Sequence, residues 1–115
     1  MVDDDPSVLR TGQMVLTNLG YIVETASSAE EALELLKSDP AKYDLILTDY
    51  SMEDMNAPEF VHAARDLGPM PPFVVISGYI LDEESLDDLF VGVVVKPFHY
   101  KELDLELQKH LKHLA

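Results

Sequence analysis

An α/β fold built on a single parallel sheet is predicted by three features of this 115-residue sequence. Short runs such as Leu45-Ile46-Leu47, Phe73 to Ile76 and Val93 to Val95 are apolar on consecutive rather than alternating positions. Segments of helical periodicity lie between these runs. Glycine, proline and Asp-Pro punctuation separates the two kinds. A strand that is apolar on both faces is buried on both faces, which is the condition of a parallel sheet covered by helices.

The elements follow in order. Met1-Val2 is a stub of a first strand, cut short by Asp3-Asp4-Asp5. Pro6 suits the first turn of a helix, where its missing N–H is no loss. Val8, Leu9, Val15, Leu16 and Leu19 give that helix one apolar face, and Gly20 supplies its stop. Tyr21 to Ala26 reads as a second strand. Ser28 and Glu31 form a capping-box pattern ahead of Ala32, Leu33, Leu35 and Leu36, and Asp39-Pro40 ends the helix they start. Leu45 to Leu47 is the third strand. Pro58 to Leu67 is a third helix, closed by Gly68, Pro69, Pro71 and Pro72. Phe73 to Ile76 is the fourth strand, Asp82 to Leu89 a short helix, and Val93 to Val95 the fifth strand. Leu103, Leu107, Leu111 and Leu114 mark an amphipathic closing helix.

Strand and helix thus alternate five times. Right-handed crossovers narrow this pattern to a doubly wound sheet, and a flavodoxin-like (βα)5 arrangement with strand order 2-1-3-4-5 is expected. Residues 1–115 form one domain in this reading, with no repeat, linker or low-complexity segment. The first strand is truncated for such a sheet, and residues upstream of Met1 are expected in the intact protein.

Composition narrows the function. Hydrophobic residues make up 47% of the chain, too many for a disordered one. No apolar run approaches the roughly 20 residues that cross a bilayer, and no cationic segment leads into an apolar one as in an export signal. With cysteine absent, disulfides, thiolate metal sites and cysteine nucleophiles are excluded together, and a cytoplasmic home is expected. The 22 acidic against 8 basic residues give a formal charge of −14. That field repels nucleic-acid phosphates and anionic membranes and concentrates divalent cations.

In an open parallel sheet, ligands sit beyond the carboxyl ends of the strands, near the point where strand order reverses. The first strand ends in Asp3-Asp4, the third in Asp49, the fourth in Ser77 and the fifth in Lys96. Singly, these residues have ordinary explanations: acids before a helix cap it, an aspartate or a Ser-Gly pair makes a turn, and lysine is a common surface residue. Those explanations do not account for all five falling at strand ends. Three neighbouring carboxylates repel one another unless a cation joins them. Mg²⁺ is the natural occupant, since it takes a few carboxylates, waters and a substrate phosphate. With such an ion, Asp49 stays ionised and can attack phosphorus, while Lys96 and Ser77 steady the transferring oxygens.

These same residues resemble a known family. Val2-Asp3-Asp4-Asp5-Pro6, Leu45-Ile46-Leu47-Thr48-Asp49, Val75-Ile76-Ser77-Gly78-Tyr79 and Val95-Lys96-Pro97-Phe98 look like the signatures of the receiver domain of two-component systems, in order and across nearly the whole chain. The resemblance implies that Asp3 and Asp4 are the metal-binding acidic pair and Asp49 the phosphoacceptor. It also implies that Ser51 offers a backbone carbonyl to Mg²⁺, that Ser77 and Lys96 take the hydroxyl and lysine positions, and that the Lys96–Pro97 peptide is cis. The implied function is a phosphorelay switch that accepts a phosphoryl group from a phosphohistidine. It is a signalling phosphoacceptor, assisting its own phosphorylation and dephosphorylation, and not an enzyme in the usual sense. The implied partners are a sensor histidine kinase or a phosphotransfer domain. A homodimer is compatible with this reading, and direct nucleic-acid binding and membrane insertion are not expected. Ser77-Gly78-Tyr79 is similar to the corresponding segment of receivers attached to hybrid sensor kinases.

The sequence departs from the family pattern in three places. Met52-Glu53-Asp54-Met55-Asn56-Ala57 resembles the usual Met-Pro-x-Met-x-Gly loop, with Glu53 for proline and Ala57 for glycine. An alanine is strained if that position requires a positive φ, and Glu53 adds a carboxylate near the metal. Val93 stands where the family usually has an aromatic rotor, and the stretch from Ser77 to Lys96 is a few residues short. These departures motivate an alternative reading, a receiver-like domain that binds partners with weak or no phosphorylation. A flavodoxin-like nucleotide binder would need a glycine-rich loop where Asp3-Asp4-Asp5-Pro6 stands. Tyr79, two positions after Ser77, has two readings: a ring that hinders the water removing the phosphoryl group, or a solvent-facing side chain in a loop. His62, His99, His110 and His113 show no ligand spacing tied to the acidic residues.

Overall fold

The computed structural model describes residues 1–78 and 89–111. Its elements are helix α1 (Pro6–Asn18), helix α2 (Ala29–Ser38), a 3₁₀ turn (Pro40–Lys42), strand β1 (Ile46–Asp49), helix α3 (Ala57–Asp66), strand β2 (Phe73–Ser77), strand β3 (Gly92–Val95) and helix α4 (Tyr100–Leu111). The helix expected over Asp82 to Leu89 falls mostly on residues 79–88, outside the described residues, as do Tyr79, Lys112, His113 and Leu114.

The three strands form one parallel sheet in the order β1-β2-β3. Asp49 pairs with Ile76, and Ser77 pairs with Val95. Every residue of β1 and β2 is buried, as their unbroken apolar runs require. Alternate residues of these strands enter two separate cores. Ile46, Phe73 and Val75 pack with Ala32, Leu36, Phe60, Val61 and Ala64 of α2 and α3. Leu47, Val74, Ile76 and Val94 pack with Leu16 of α1 and with Leu103 and Leu107 of α4. The sheet is therefore covered on both faces.

The first expected strand is a single residue. Val2 bridges in parallel to both Ala26 and Thr48, its N–H donating to the Leu47 carbonyl at 2.8 Å and its carbonyl accepting from the Asp49 N–H at 2.9 Å. The strand expected over Tyr21 to Ala26 does not form. Only Ala26 makes a bridge, because the neighbouring segment reaches no further than the stub at Met1-Val2 and a ladder needs a partner of matching length.

The helices start and stop for local reasons. Asp5 caps α1, accepting from the Ser7 N–H and hydroxyl at 2.9 and 2.8 Å. Gly20 ends the turn with φ of 105°, a backbone conformation that other residues avoid. Leu19, expected on the apolar face of α1, is instead exposed, because it is the C-cap and the chain has already left the helix there. Ser28 caps α2 through the Glu31 N–H at 3.0 Å, but the Glu31 carboxylate reaches Ser27 rather than completing the box. A full capping box does occur at α3, between Asn56 and Glu59. Ala57, the first residue of α3, is fully buried, and no residue other than glycine has a positive φ among those described. The strain anticipated at Ala57 is absent, because the helix begins there instead of a left-handed turn.

Candidate functional site

Three carboxylates gather at the carboxyl end of the sheet. Asp3 and Asp4 follow the Val2 bridge and Asp49 ends β1, so the pairing of Val2 with Thr48 sets them side by side. One oxygen from each lies within 4.8 Å of the others. Asp3 is only 2% exposed and Asp49 8%, while Asp4 faces solvent.

The electrostatics are unbalanced. Oδ1 of Asp3 accepts from the Asp5 N–H at 2.9 Å, but Oδ2 is buried with no hydrogen-bond partner. Burial raises the pKa of Asp3 above its ordinary value. The Asp5 N–H and the Lys96 charge pull it down, and the Asp49 and Asp4 carboxylates push it further up. Oδ1 of Asp49 accepts from Lys96 Nζ at 3.1 Å and from the Tyr50 N–H at 3.1 Å. One ammonium among three carboxylates leaves two negative charges, the complement of a divalent cation. An oxygen-only donor set with an unpartnered buried oxygen fits a hard ion such as Mg²⁺.

The other predicted residues take neighbouring places. Lys96 follows β3, and its N–H donates to the Ser77 carbonyl at 2.7 Å, which ties the lysine to the end of β2. Ser77 is fully buried at that strand end, one residue beyond the partner of Asp49. The Lys96–Pro97 peptide is cis, as the resemblance implied. Ser51 is exposed in the turn after Asp49 and bridges antiparallel to Asn56. The Glu53 carboxylate is not part of the acidic group; only the Glu53 N–H touches it, donating to Asp4 Oδ2 at 3.0 Å. No described helix is long and apolar enough to cross a membrane.

Sequence reasoning missed two participants. One is that Glu53 N–H, which a proline could not supply. The other is Asp54, whose carboxylate accepts from the Ala29 and Glu30 N–H groups at 3.3 and 2.9 Å. The substitution of Glu53 for proline was the available signal for the first. Asp54 had none, because its partners lie 24 and 25 residues away.

Comparison with known proteins agrees with this geometry. Residues 1–108 match the family model of the response regulator receiver domain. The chain is 30% identical over 115 residues to the sensor kinase CckA of Brucella abortus, covering 97% of this chain and 12% of that protein. It is also 30% identical over 116 residues to the transcriptional regulatory protein ZraR of Escherichia coli, covering 98% of this chain and 26% of that one. Among solved structures, the chemotaxis protein CheY4 of Vibrio cholerae superposes with a TM-score of 0.84 at 31% identity, covering 96% and 94% of the two chains. The receiver domain of the hybrid histidine kinase CckA superposes with a TM-score of 0.81 at 26% identity, again covering 96% and 94%. This chain belongs to the response regulator receiver domain family of two-component systems.

Proposed function

We propose that this domain takes a phosphoryl group from a phosphohistidine onto Asp49, and that the modified carboxylate switches its conformation. The observation that carries the reading is the buried, unpartnered Oδ2 of Asp3 beside Asp4 and Asp49, an arrangement that destabilises the domain unless a cation completes it. Asp3, Asp4, Asp49 and the Ser51 carbonyl would hold Mg²⁺, whose charge screens the phosphoryl oxygens when it is bound.

An Asp49 carboxylate oxygen attacks phosphorus, forming an O–P bond as the N–P bond of the phosphohistidine breaks. The leaving imidazole keeps the electron pair and takes up a proton. Lys96 Nζ, 3.1 Å from Asp49 Oδ1, is poised to exchange the carboxylate for an oxygen of the arriving group. The Ser77 hydroxyl, at the next strand end, would donate to another. Later hydrolysis breaks the new O–P bond and restores Asp49. The residues assist both steps, so the domain acts as a signalling phosphoacceptor.

Residues 1–115 are read as one domain, and the bridges of Val2 to both Ala26 and Thr48 support placing the first two expected strands in the order 2-1-3 beside the sheet. The donor is a sensor histidine kinase or a phosphotransfer domain in the cytoplasm. Because this chain matches only 12% of a sensor kinase and 26% of a transcriptional regulator, any further activity lies in the rest of such proteins. The partner-binding alternative loses one motive, since Ala57 is unstrained.

Incubation with acetyl phosphate or phosphoramidate, followed by intact mass measurement, tests the proposal. A phosphoryl adduct is expected on the wild type with Mg²⁺ and neither without Mg²⁺ nor on Asp49→Asn. A folded wild type that stays unlabelled would favour the partner-binding reading.

A further inference from the structure

The loop between Asp49 and α3 is held at two adjacent residues by groups far away in the sequence. The Glu53 N–H donates to Asp4 Oδ2 at 3.0 Å across 49 residues. The very next side chain, Asp54, accepts from Ala29 and Glu30 at the start of α2. Ala29 is fully buried in the core that α2 and α3 share, so this anchor is fixed. Ser28 serves the Glu31 N–H, so Asp54 and Ser28 together satisfy three first-turn donors of α2. Burial opposes ionisation of Asp54, but the N–H groups of Glu30, Ala29, Asp54 and Met55 outweigh it and hold its pKa below the ordinary value.

We propose that Asp54 is a positioning residue for the metal: by clipping the loop to α2, it holds the Glu53 N–H against Asp4 and presets that carboxylate for a divalent cation. The inference rests on the metal-site reading above. Asp4 is exposed, so without a donor on Oδ2 its side chain would sample several rotamers, and binding an ion would have to order it. One peptide unit joins the two contacts, so releasing Asp54 should loosen the Glu53 N–H, while the Ser51–Asn56 bridge still closes the loop.

Mn²⁺ is a suitable probe, because carboxylate and water ligands accept it in place of Mg²⁺. Free Mn²⁺ would be followed by electron paramagnetic resonance in titrations of wild type, Asp54→Ala, Asp54→Asn, Ser28→Ala and Asp3→Asn, with the Glu53 amide followed by ¹⁵N NMR. Asp54→Ala should weaken Mn²⁺ binding roughly fivefold and shift the Glu53 amide in the metal-free protein. Ser28→Ala removes a cap from the same helix without touching the loop, and should stay within about twofold of wild type. Asp54→Asn keeps one acceptor oxygen and should fall between; it decides the question if the alanine variant does not fold. Wild-type affinity in Asp54→Asn and Asp54→Ala, or an equal loss in Ser28→Ala, overturns the positioning role alone. A wild type that binds Mn²⁺ no better than Asp3→Asn overturns the metal site, and this inference with it.

Discussion

Two carboxylate environments in this domain are built in opposite ways. At the carboxyl end of the sheet, Asp3 is buried with one oxygen unpartnered and two further carboxylates alongside. At the seam between the segment after α1 and helix α4, Asp104 has both oxygens served, Oδ1 by the Tyr21 hydroxyl at 2.6 Å and Oδ2 by the Gln108 amide at 2.9 Å. The second arrangement closes a contact between elements 83 residues apart and gives each carboxylate oxygen a donor within the protein. The first withholds stabilisation from the folded chain and leaves an oxygen for a ligand. Buried polar groups are ordinarily satisfied, so the unpartnered Asp3 oxygen marks a candidate site rather than a structural tie.

Single substitutions at the two places should therefore act with opposite signs. The largest effect is expected at Asp3. Asp3→Asn removes one of three crowded charges, so metal-free protein should gain about 1 kcal/mol and melt roughly 4 °C higher. The same variant should bind Mg²⁺ more than roughly tenfold more weakly. Thermal melts in a chelator and calorimetric Mg²⁺ titrations check both halves. A variant that is less stable and still binds Mg²⁺ normally would break the contrast.

A change of the other sign, confined to stability, is expected from Tyr21→Phe. It removes one hydrogen bond to a charged group, so stability should fall by about 1 kcal/mol with Mg²⁺ binding unchanged. Alkaline pH sharpens the point. Burial, and then the Asp104 carboxylate, push the Tyr21 hydroxyl from 10.0 up to about 12. Below pH 10 the phenol is protonated in both states and its contribution is complete. Between pH 10 and about 12 the unfolded phenol ionises first, so the contribution is lost as pH rises. The stability gap between wild type and Tyr21→Phe should shrink across that window in denaturant titrations. A constant gap would detach Tyr21 from Asp104.

The strand-end residues were legible in the sequence because a parallel sheet fixes where its carboxyl ends lie once the apolar runs are located. Asp49, Ser77 and Lys96 each stand at the end of a consecutive run, and pairing alone brings them to neighbouring positions. Tyr21 to Ala26 misled, because its β-compatible residues needed a partner strand longer than the stub at Met1-Val2. The part played by Asp54 was not legible, since a side chain that caps a helix 25 residues upstream leaves no local spacing to read. Ala57 showed the reverse limit: replacement of an expected glycine resembled strain, yet the helix begins one residue before Pro58 and absorbs it.

Whether Asp49 itself carries the phosphoryl group is decided by borohydride reduction after phosphorylation. Reduction converts an aspartyl phosphate to homoserine, which peptide mass spectrometry locates by residue. Homoserine at position 49 alone, formed only when Mg²⁺ and phosphodonor are both present, is the predicted result. Homoserine at Asp3 or Asp4, or a phosphoryl adduct that persists in Asp49→Asn, would contradict it.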